Sequence, residues 1–430
     1  MERLKGRGRS GWVGSPTLRG MTDLIPDTDP AEVGLDAERL RRIDRHFQRY
    51  VDDRRLPGFL VTVARHGRLA HVGVGGHRDV EAQLPVTTDT VWRLYSMTKP
   101  VTAVVALQLW EEGAFELKDP VARYIPSFAA TKVWRSGSVT NPVLDPVTEP
   151  MQLWHLFSHT AGLTYGFLYA HPVDELYRRA GFEWGTPPVD LAELCDRLAA
   201  LPLLFQPGVE WNYSMGLDVL GRVLEVITGQ PLDEIVRERL LDPLGMTDTG
   251  WYATEAQQPR LAMLYGANPA DRTRLRMEQA AAGATHPPSA FLGGGGLVGT
   301  AGDYLRFAEM LRRGGGLDGV RILSPRTVRM MASNHLPGGA DLTAFGRPLF
   351  AETTFDGVGF GLGVSVTIDP VTVKVPGNAG DFAWGGAAST AFWVDPVDDL
   401  VVQFFTQLLP SSTHPIRSQL KQLVYQAIVE

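Results

Sequence analysis

The sequence predicts an α+β fold in which strands from both ends of the chain pair into one sheet, with a mostly helical domain inserted between them. Two β-rich runs within residues 58–76 come early in the chain. Helical patterns dominate from about residue 115 to residue 290, where Pro/Gly-rich loops separate them. Strand patterns return after residue 357. Sequence patterns that match at the two ends and differ in the middle are what an inserted domain produces.

The first part of the predicted sheet domain contains a helix, a hairpin and a second helix. Apolar residues recur at helical spacing over 31–53. The two β-rich runs turn at His66-Gly67-Arg68, which is typical of a β-hairpin. A short extended run, "TVWRLYS" (90–96), leads into "MTKPVTAVVALQLWEEG" (97–113). This last segment is apolar on nearly every side, so we expect a buried central helix that stops at Gly113.

The C-terminal part is predicted to supply the remaining strands. They are "GFGLGVSVTI" (359–368), "FAWGGAASTAFWVDP" (382–396) and "DLVVQFFTQL" (399–408), and a helix closes the chain at 413–430. We therefore expect three parts: a disordered N-terminal tail (1–24), a sheet domain formed by 25–115 and 290–430, and a mostly helical domain (116–289). The tail is basic and Gly-rich and lacks the apolar stretch of a secretory signal.

Composition excludes several classes of protein. The 430 residues are 44% apolar, carry a formal net charge of -7 and have a pI near 5.8, which disfavours a nucleic-acid partner. Cys195 is the only cysteine, so an intrachain disulfide and a Cys-rich zinc site are impossible, and a reducing cytoplasm is the expected location. No apolar run approaches the roughly 20 residues that span a bilayer. No H-E-x-x-H zinc motif occurs, and we expect no metal or cofactor.

Two Ser-x-x-Lys patterns occur, and their surroundings differ. Ser96 and Lys99 lie where an extended run meets the predicted buried helix, so Lys99 can reach back to the Ser96 hydroxyl. Burial lowers the pKa of a lysine, whose neutral form can then act as a base, and a helix N-terminus stabilises nearby negative charge. Ser418 and Lys421 lie on the terminal helix and are expected on its solvated face. A capping serine beside a solvated lysine is the structural alternative for Ser96 and Lys99.

Other catalytic patterns are weaker. No serine occupies the G-x-S-x-G elbow of the α/β-hydrolases. Ser158 and His159 are adjacent in "LFSHTAGL" (156–163), where a helix end followed by a turn at Gly162 is the better interpretation. Residues 294–299 match G-x-G-x-x-G, but the context favours a turn before a helix capped by Thr300 with Asp303 over a dinucleotide site.

Two distant segments can complete a site around Ser96. Tyr213 lies in "WNYSMGLDVLG" (211–221), in a loop just before a helix, where it can project into a cleft, although an average tyrosine is more often a core aromatic. Gly385 and Gly386 fall inside a predicted strand. A glycine pair there indicates close approach of a ligand or of another backbone, or else a bulge or tight packing.

Together these segments resemble the serine β-lactamase/penicillin-binding protein superfamily, and most closely the family VIII carboxylesterases, which share the class C β-lactamase fold. The resemblance extends from about residue 30 to the end. It includes "LKDPVARYIPSF" (117–128), "LLDPLGMTDTGW" (240–251) and "GGGGLVGTAGDYLRF" (293–307), all in the family's order. It implies a central, mostly antiparallel sheet flanked by helices, and it implies that Ser158 is not the nucleophile.

Two departures from the lactamase pattern bear on the substrate. The lactamase Y-x-N motif is Tyr213-Ser214-Met215 here, and the lactamase K-T-G strand motif is Trp384-Gly385-Gly386. An asparagine and a lysine that would help bind a β-lactam are therefore replaced by apolar residues, which suits an uncharged ester. The esterases of the family have W-G-G at this position.

The resemblance implies a serine carboxylesterase that acts on short- to medium-chain esters through a Ser96 acyl-enzyme. Lys99 and Tyr213 would serve as general base and acid, and which of them takes the proton first is open. The N–H groups of Ser96 and Ala387 would form the oxyanion hole. Trp384, Gly385, Gly386, Met215 and Tyr165 would contact the substrate, with the aromatic stretch 165–184 lining or covering the acyl pocket.

Alternative functions use the same residues. A β-lactamase, a D-amino-acid peptidase or an acyltransferase would use the same catalytic core. A non-catalytic penicillin-binding-like protein would not need three residues suited to proton transfer. The expected partner is a small-molecule ester, with no nucleic acid or membrane partner, and the sequence leaves the oligomeric state open.

Overall fold

The computed structural model describes residues 24–183, 185–347 and 350–430. The predicted tail lies outside these residues except for Leu24, which is buried against the core. The strands are β1 (Gly58–Arg65), β2 (Arg68–Asp79), β3 (Leu84–Pro85), β4 (Val91–Arg93), β5 (Lys132–Ser138), β6 (Asn141–Pro146), β7 (Tyr265–Ala267), β8 (Arg274–Arg276), β9 (Val298–Thr300), β10 (Gly316–Leu317), β11 (Val320–Arg321), β12 (Val358–Phe360), β13 (Ser365–Thr367), β14 (Phe382–Gly385), β15 (Ala391–Asp395), β16 (Leu400–Phe405) and β17 (Leu408–Leu409).

Helices make up the rest of the regular structure. The α-helices are α1 (Ala37–Asp52), α2 (Thr98–Glu111), α3 (Leu153–Phe157), α4 (Pro172–Arg179), α5 (Leu191–Ala199), α6 (Gly216–Thr228), α7 (Leu232–Val236), α8 (Asp242–Leu244), α9 (Glu278–Ala282), α10 (Ala301–Arg312), α11 (Pro325–Met331), α12 (Leu342–Phe345), α13 (Pro370–Val373) and α14 (Ile416–Tyr425). Short 3₁₀ turns lie at Pro30–Val33, Tyr95–Met97, Val121–Arg123, Pro126–Ala130, Gly166–Leu168, Gln258–Arg260, Gly283–Thr285 and Pro337–Gly339, and a π turn lies at Arg237–Leu241.

The main sheet combines strands from both ends of the chain, as the sequence predicts. Its order is β12-β13-β14-β15-β16-β1-β2-β3, and every neighbouring pair is antiparallel. Strand β1 lies between β16 and β2, so the two ends of the sequence meet in the middle of the sheet. The α+β fold class is therefore confirmed.

Both faces of the sheet are covered, because alternate side chains of a strand point to opposite faces. On strand β1, Phe59, Val61 and Val63 pack with helices α1 and α14 in one cluster. Leu60 and Ala64 pack on the other side, in the cluster that contains helix α2. All eight residues of β1 are buried, as expected for a central strand covered on both faces.

Helix α2 runs through the larger core cluster, and the predicted nucleophile Ser96 lies just before its first residue. From Thr98 to Leu107 every residue is buried, and Leu109 is also buried, which confirms the predicted central helix. Gly113 follows its end with a φ of 76°, a conformation that favours glycine. Because apolar residues surround the helix, its few polar groups must find partners inside the protein.

Three local features differ from the sequence-based expectations. Within the stretch dominated by helical patterns, β5 and β6 form an exposed hairpin that the pattern did not predict. The predicted strand 382–396 is two strands, because residues 386–390 turn and Gly386 N donates to the Thr390 carbonyl (2.9 Å). Lys421 is not on a solvated face, because its Nζ pairs with the buried carboxylate of Asp381 (2.8 Å).

Candidate active site

Ser96 lies between strand β4 and helix α2, as the sequence predicts. The 3₁₀ turn Tyr95–Met97 joins the two elements. Tyr95 has a φ of 47°, in the left-handed region that non-glycine residues rarely occupy, so the backbone beside Ser96 is strained. Tyr304 Oη donates to the Met97 carbonyl (2.9 Å) from helix α10. The turn is thereby held from the neighbouring helix and fixes where the serine hydroxyl points.

Lys99 lies one helical turn beyond Ser96, and its ammonium group reaches back to the serine. Its Nζ donates to Ser96 Oγ (3.2 Å) and to the Gly294 carbonyl (2.6 Å). The residue is 1% exposed. Burial lowers the pKa of Lys99 to about 8, although the carboxylates of Asp218 and Glu352 act in the opposite direction. A lysine with this pKa has a substantial neutral fraction in mildly alkaline solution and can act as a base.

Tyr213 contacts the same oxygen from the other side. Its Oη donates to Ser96 Oγ over 2.5 Å, and its ring centroid lies 4.7 Å from Lys99 Nζ. The residue is 2% exposed, and burial raises the pKa of Tyr213 well above its ordinary value. The Ser96 hydroxyl oxygen therefore accepts hydrogen bonds from two buried groups whose pKa values move in opposite directions.

The segment that carries Tyr213 is held by the "SHTAGL" turn. Asn212 Nδ2 donates to the Leu163 carbonyl (3.2 Å), and Asn212 N donates to the His159 carbonyl (3.0 Å). His159 Nδ1 and Ser214 Oγ lie 3.0 Å apart, and burial lowers the pKa of His159 well below its ordinary value. The histidine is therefore a neutral, buried support for the tyrosine segment.

Ser158 has different partners from its neighbour. Its Oγ donates to the Trp154 carbonyl (2.9 Å) and lies 2.8 Å from Thr160 Oγ1. It follows the last residue of helix α3, and Gly162 turns the chain with a φ of 82°, which agrees with the interpretation of a helix end followed by a turn. Ser158 thus contacts a backbone carbonyl and a threonine, whereas the ring of His159 contacts Ser214, so the two neighbours do not pair with each other as nucleophile and base.

The second Ser-x-x-Lys pattern does not form a comparable pair. Ser418 Oγ donates to the carbonyl of Pro415 (3.1 Å), the residue that caps the start of helix α14. Lys421 Nζ instead binds both carboxylate oxygens of Asp381, at 3.0 and 2.8 Å. Lys421 is therefore held by a carboxylate on a neighbouring segment and not by the serine of its own motif.

The glycine pair lies where the backbone approaches the Ser96 turn. A Cβ atom on Gly386 would lie 2.3 Å from the Leu94 carbonyl, and one on Gly385 would lie 2.1 Å from Arg417 Nη2. The glycines therefore mark a close backbone contact, one of the predicted alternatives. Ala387, the predicted second oxyanion donor, directly follows this contact.

The other predicted substrate-contacting residues surround Tyr213. The Tyr165 and Trp384 rings lie 5.1 and 5.6 Å from the Tyr213 ring. Trp384 is 1% exposed and also packs on Phe360, so its indole supports the tyrosine and offers little surface to a ligand. Met215 is buried at the start of helix α6. Trp184, at the end of the predicted acyl-pocket segment, lies outside the described residues.

Sequence reasoning missed the groups that hold Lys99. Gly294 supplies the carbonyl that binds Nζ, and its own N–H donates to Asp218 Oδ1 (2.8 Å). Asp218 is 2% exposed on helix α6. The G-x-G-x-x-G match thus belongs to the site through a backbone carbonyl, and the predicted Thr300 cap follows it, because Asp303 N donates to Thr300 Oγ1 (3.2 Å). The available signal for Asp218 was an acidic residue in the first turn of a largely apolar helix.

The described part of the chain offers neither a metal-binding cluster nor a membrane-spanning helix. In residues 24–183, 185–347 and 350–430, His, Cys, Asp and Glu side chains form no group of three able to hold a metal ion. Among the same residues, no helix has the length and apolar character needed to cross a bilayer.

Comparison with known proteins assigns the family. The Beta-lactamase family model matches residues 43–426, which is most of the chain. The chain belongs to the Beta-lactamase family. Members similar to it include Esterase EstB of Burkholderia gladioli, 34% identical over 92% of this chain and 98% of that protein. Protein Rv1367c of Mycobacterium tuberculosis is 39% identical over 83% of this chain and 86% of its own.

A solved structure of the Beta-lactamase family fold supports the assignment. EstCE1, described as a hydrolase with promiscuous acyltransferase activity, superposes with a TM-score of 0.75 at 28% identity, covering 92% of this chain and 99% of its own. The fold class and the family predicted from the motifs are therefore confirmed, and the protein is a serine hydrolase of this family.

Proposed function

We propose that the protein is a carboxylesterase that hydrolyses short- to medium-chain esters through a Ser96 acyl-enzyme. The observation that carries this proposal is the pair of hydrogen bonds that Lys99 Nζ and Tyr213 Oη donate to Ser96 Oγ. A serine hydroxyl is a weak nucleophile until a neighbouring base removes its proton. The name of the relative Esterase EstB supports an ester as the substrate.

Lys99 is the better candidate for first proton acceptor. Burial lowers the pKa of Lys99 to about 8, whereas burial raises the pKa of Tyr213, so the lysine is the group that more easily loses its proton near pH 8. The neutral amine takes the Ser96 proton as Oγ attacks the ester carbonyl. Tyr213 then passes a proton to the leaving alcohol and is reprotonated from Lys99. Water repeats these steps on the acyl-enzyme.

The oxyanion is assigned to the N–H groups of Ser96 and Ala387. The start of helix α2 supplies the first donor, where the helix dipole also favours negative charge. The contact between Gly386 and the Leu94 carbonyl brings the second donor toward the nucleophile. Gly385, Gly386, Met215 and Tyr165 are assigned to the walls of the substrate site, and Trp384 acts mainly by supporting Tyr213.

Comparison of two substrates on one preparation tests the choice between an esterase and a β-lactamase. A β-lactam carries a carboxylate, and burying a charge without a partner is unfavourable. We expect kcat/KM for p-nitrophenyl butyrate to exceed that for nitrocefin by at least about a hundredfold, since unmatched polar groups change discrimination by orders of magnitude. Equal values, or a preference for nitrocefin, would overturn the esterase proposal.

Acyl transfer is the second candidate function. EstCE1, which shares this fold, is a hydrolase with promiscuous acyltransferase activity. An acyl-enzyme can be attacked by an alcohol in place of water if the alcohol binds beside the acyl group. Product analysis with p-nitrophenyl butyrate and added short-chain alcohols distinguishes the two fates: butyrate alone indicates hydrolysis, and butyrate esters indicate transfer.

A further inference from the structure

A partly buried ion pair, in which the Arg417 side chain is 30% exposed, lies at the end of strand β14, beside the proposed oxyanion donor Ala387. Glu352 comes from the loop before β12 and is 2% exposed, and Arg417 lies in the first turn of helix α14. Arg417 Nη2 donates to Glu352 Oε2, and Arg417 Nη1 donates to the backbone carbonyl of the same residue. The guanidinium is thus held twice by one residue.

Arg417 also contacts the strand that carries the Gly385-Gly386 pair. Its Nη2 lies 3.3 Å from the Thr390 carbonyl and 3.5 Å from the Gly386 carbonyl. A side chain at Gly385 would collide with the guanidinium, because a Cβ atom there would lie 2.1 Å from Nη2. The glycine therefore makes room for a cation at the strand end, two residues before the proposed oxyanion donor Ala387.

Only one of the two carboxylate oxygens of Glu352 accepts hydrogen bonds from the described residues. Its Oε2 accepts from Arg417 Nη2 and from Ser411 Oγ (2.9 Å). Its Oε1 is buried and has no hydrogen-bond partner among the described residues. Burial is the main reason why the pKa of Tyr213 is raised, and the negative charge of Glu352 raises it further. The electrostatic field of Glu352 therefore reaches the catalytic groups. A buried carboxylate oxygen without a donor repels an approaching anion.

We propose that Glu352 determines substrate specificity by occupying the guanidinium of Arg417, which restricts this hydrolase to esters without a negative charge near the reacting carbonyl. A guanidinium binds a substrate carboxylate through two parallel hydrogen bonds when it is free to do so. Here an anionic substrate must displace Glu352 or lie beside its unpaired oxygen, and both are unfavourable. A neutral ester meets neither obstacle. The inference rests on the proposed esterase function.

The test compares two p-nitrophenyl esters that differ by one charge. They are the hexanoate and the monoester of adipic acid, in which a carboxylate replaces the terminal methyl of the hexanoate. The measured quantity is the ratio of kcat/KM for the anionic ester to that for the neutral ester. Turnover of the hexanoate by the wild-type protein tests the esterase function, whereas the ratio among variants tests the role of Glu352.

Glu352→Gln keeps the shape of the side chain and removes its charge, so Arg417 becomes available to the adipate carboxylate. We expect the ratio to rise by about tenfold or more, the size of one hydrogen bond between charged groups. Arg417→Met leaves Glu352 unpaired and should lower the ratio. The double variant should lose the gain of Glu352→Gln. Glu309→Gln is the matched control, because Glu309 is also buried and paired with an arginine, Arg312, near the far end of helix α10. The ratio of kcat/KM values measured for this variant should equal that of the wild type.

An unchanged ratio in folded Glu352→Gln would overturn the proposal. If that variant does not fold, Arg417→Met decides, and a ratio equal to that of the wild type would likewise overturn it. A rise in the ratio that persists in the double variant would show that the gain does not come from Arg417, which also contradicts the proposal.

Discussion

Lys99 and Tyr213 share one acceptor, the Ser96 hydroxyl oxygen, and should therefore act as a unit. We expect Lys99→Ala and Tyr213→Phe each to lower kcat for p-nitrophenyl butyrate by about a thousandfold or more. The double variant should lose little more than either single variant, because removing one member already breaks the proton path. Steady-state rates of the four proteins measure this coupling.

Lys421→Ala is the matched control for the lysine change, since this residue belongs to the second Ser-x-x-Lys pattern. Its activity should remain at the wild-type level, although loss of the pair with Asp381 should reduce stability. Losses at Lys99 and Tyr213 that simply multiply in the double variant would contradict a shared proton path.

The buried carboxylate of Asp218 affects the pKa of Lys99, the proposed catalytic base. Its carboxylate raises the pKa of Lys99, so the neutral variant Asp218→Asn should lower that pKa below the value of about 8. Activity requires neutral Lys99 and therefore rises with pH through this pKa. The rising limb of the kcat/KM profile should accordingly move to lower pH in the variant. The introduced amide would still offer an oxygen to Gly294 N, so the geometry is retained.

Asp395→Asn serves as the control for this pH shift, because Asp395 is buried on strand β15 and bonded to Asn378 and Tyr425. Its profile should coincide with that of the wild type. If the rising limb of the kcat/KM profile of Asp218→Asn stays in place or moves to higher pH, the assignment of Lys99 as the base is contradicted.

At the scale of residues, the groups that react could be identified from the sequence, but the groups that hold them in place could not. Ser96 and Lys99 share a short motif, so spacing alone relates them. Tyr213 required the resemblance to a family. Gly294, Asp218 and Glu352 act through contacts between segments far apart in the sequence, and Gly294 acts through its backbone carbonyl. No side-chain pattern encodes such a contact.

The end of strand β14 is the element on which the oxyanion geometry depends. In Gly386→Ala the new methyl would lie 2.3 Å from the Leu94 carbonyl and 2.4 Å from Thr390 Oγ1, so the turn 386–390 must move. We expect kcat to fall by about tenfold or more if the proposed oxyanion donor shifts. Overpacking of this kind should also lower the free energy of unfolding by about 1–3 kcal/mol. Ester turnover and urea denaturation measure the two effects.

Gly283→Ala is the matched control, because a Cβ atom there meets nothing within 4 Å and the φ of Gly283 is -60°. It should leave both quantities close to the wild-type values. Wild-type kcat in Gly386→Ala would contradict the assigned role of this turn.

At the scale of elements, long periodic segments were predictable and short exposed ones were not. Helix α1 follows a clear apolar periodicity, helix α2 is a long segment that is apolar on nearly every side, and the β1–β2 hairpin joins two β-rich runs at a turn. The β5–β6 hairpin has largely exposed strands, so no apolar alternation marks it. The break between β14 and β15 lies within a run of small residues, which allows either a continuous strand or a turn until tertiary contacts select one.

At the scale of the molecule, three distant segments meet because the ends of the chain share a sheet. Strand β1 pairs with β16 in the middle of that sheet, and helix α2 packs on the face opposite α1 and α14. Ser96 and Tyr213 lie just before helices α2 and α6, and Gly386 follows β14. The domain boundaries at residues 115 and 290 and the cytoplasmic location stay predictions.

The central claim is that Ser96, and not the serine of the second motif, forms the acyl-enzyme. Hydrolysis of p-nitrophenyl butyrate by Ser96→Ala and Ser418→Ala, with folding checked by circular dichroism, tests it most directly. We predict that Ser96→Ala lowers kcat by at least about a thousandfold, because the variant lacks the hydroxyl that forms the acyl-enzyme. Ser418→Ala should keep wild-type activity. Retained activity in folded Ser96→Ala, or equal losses in both variants, would contradict the account.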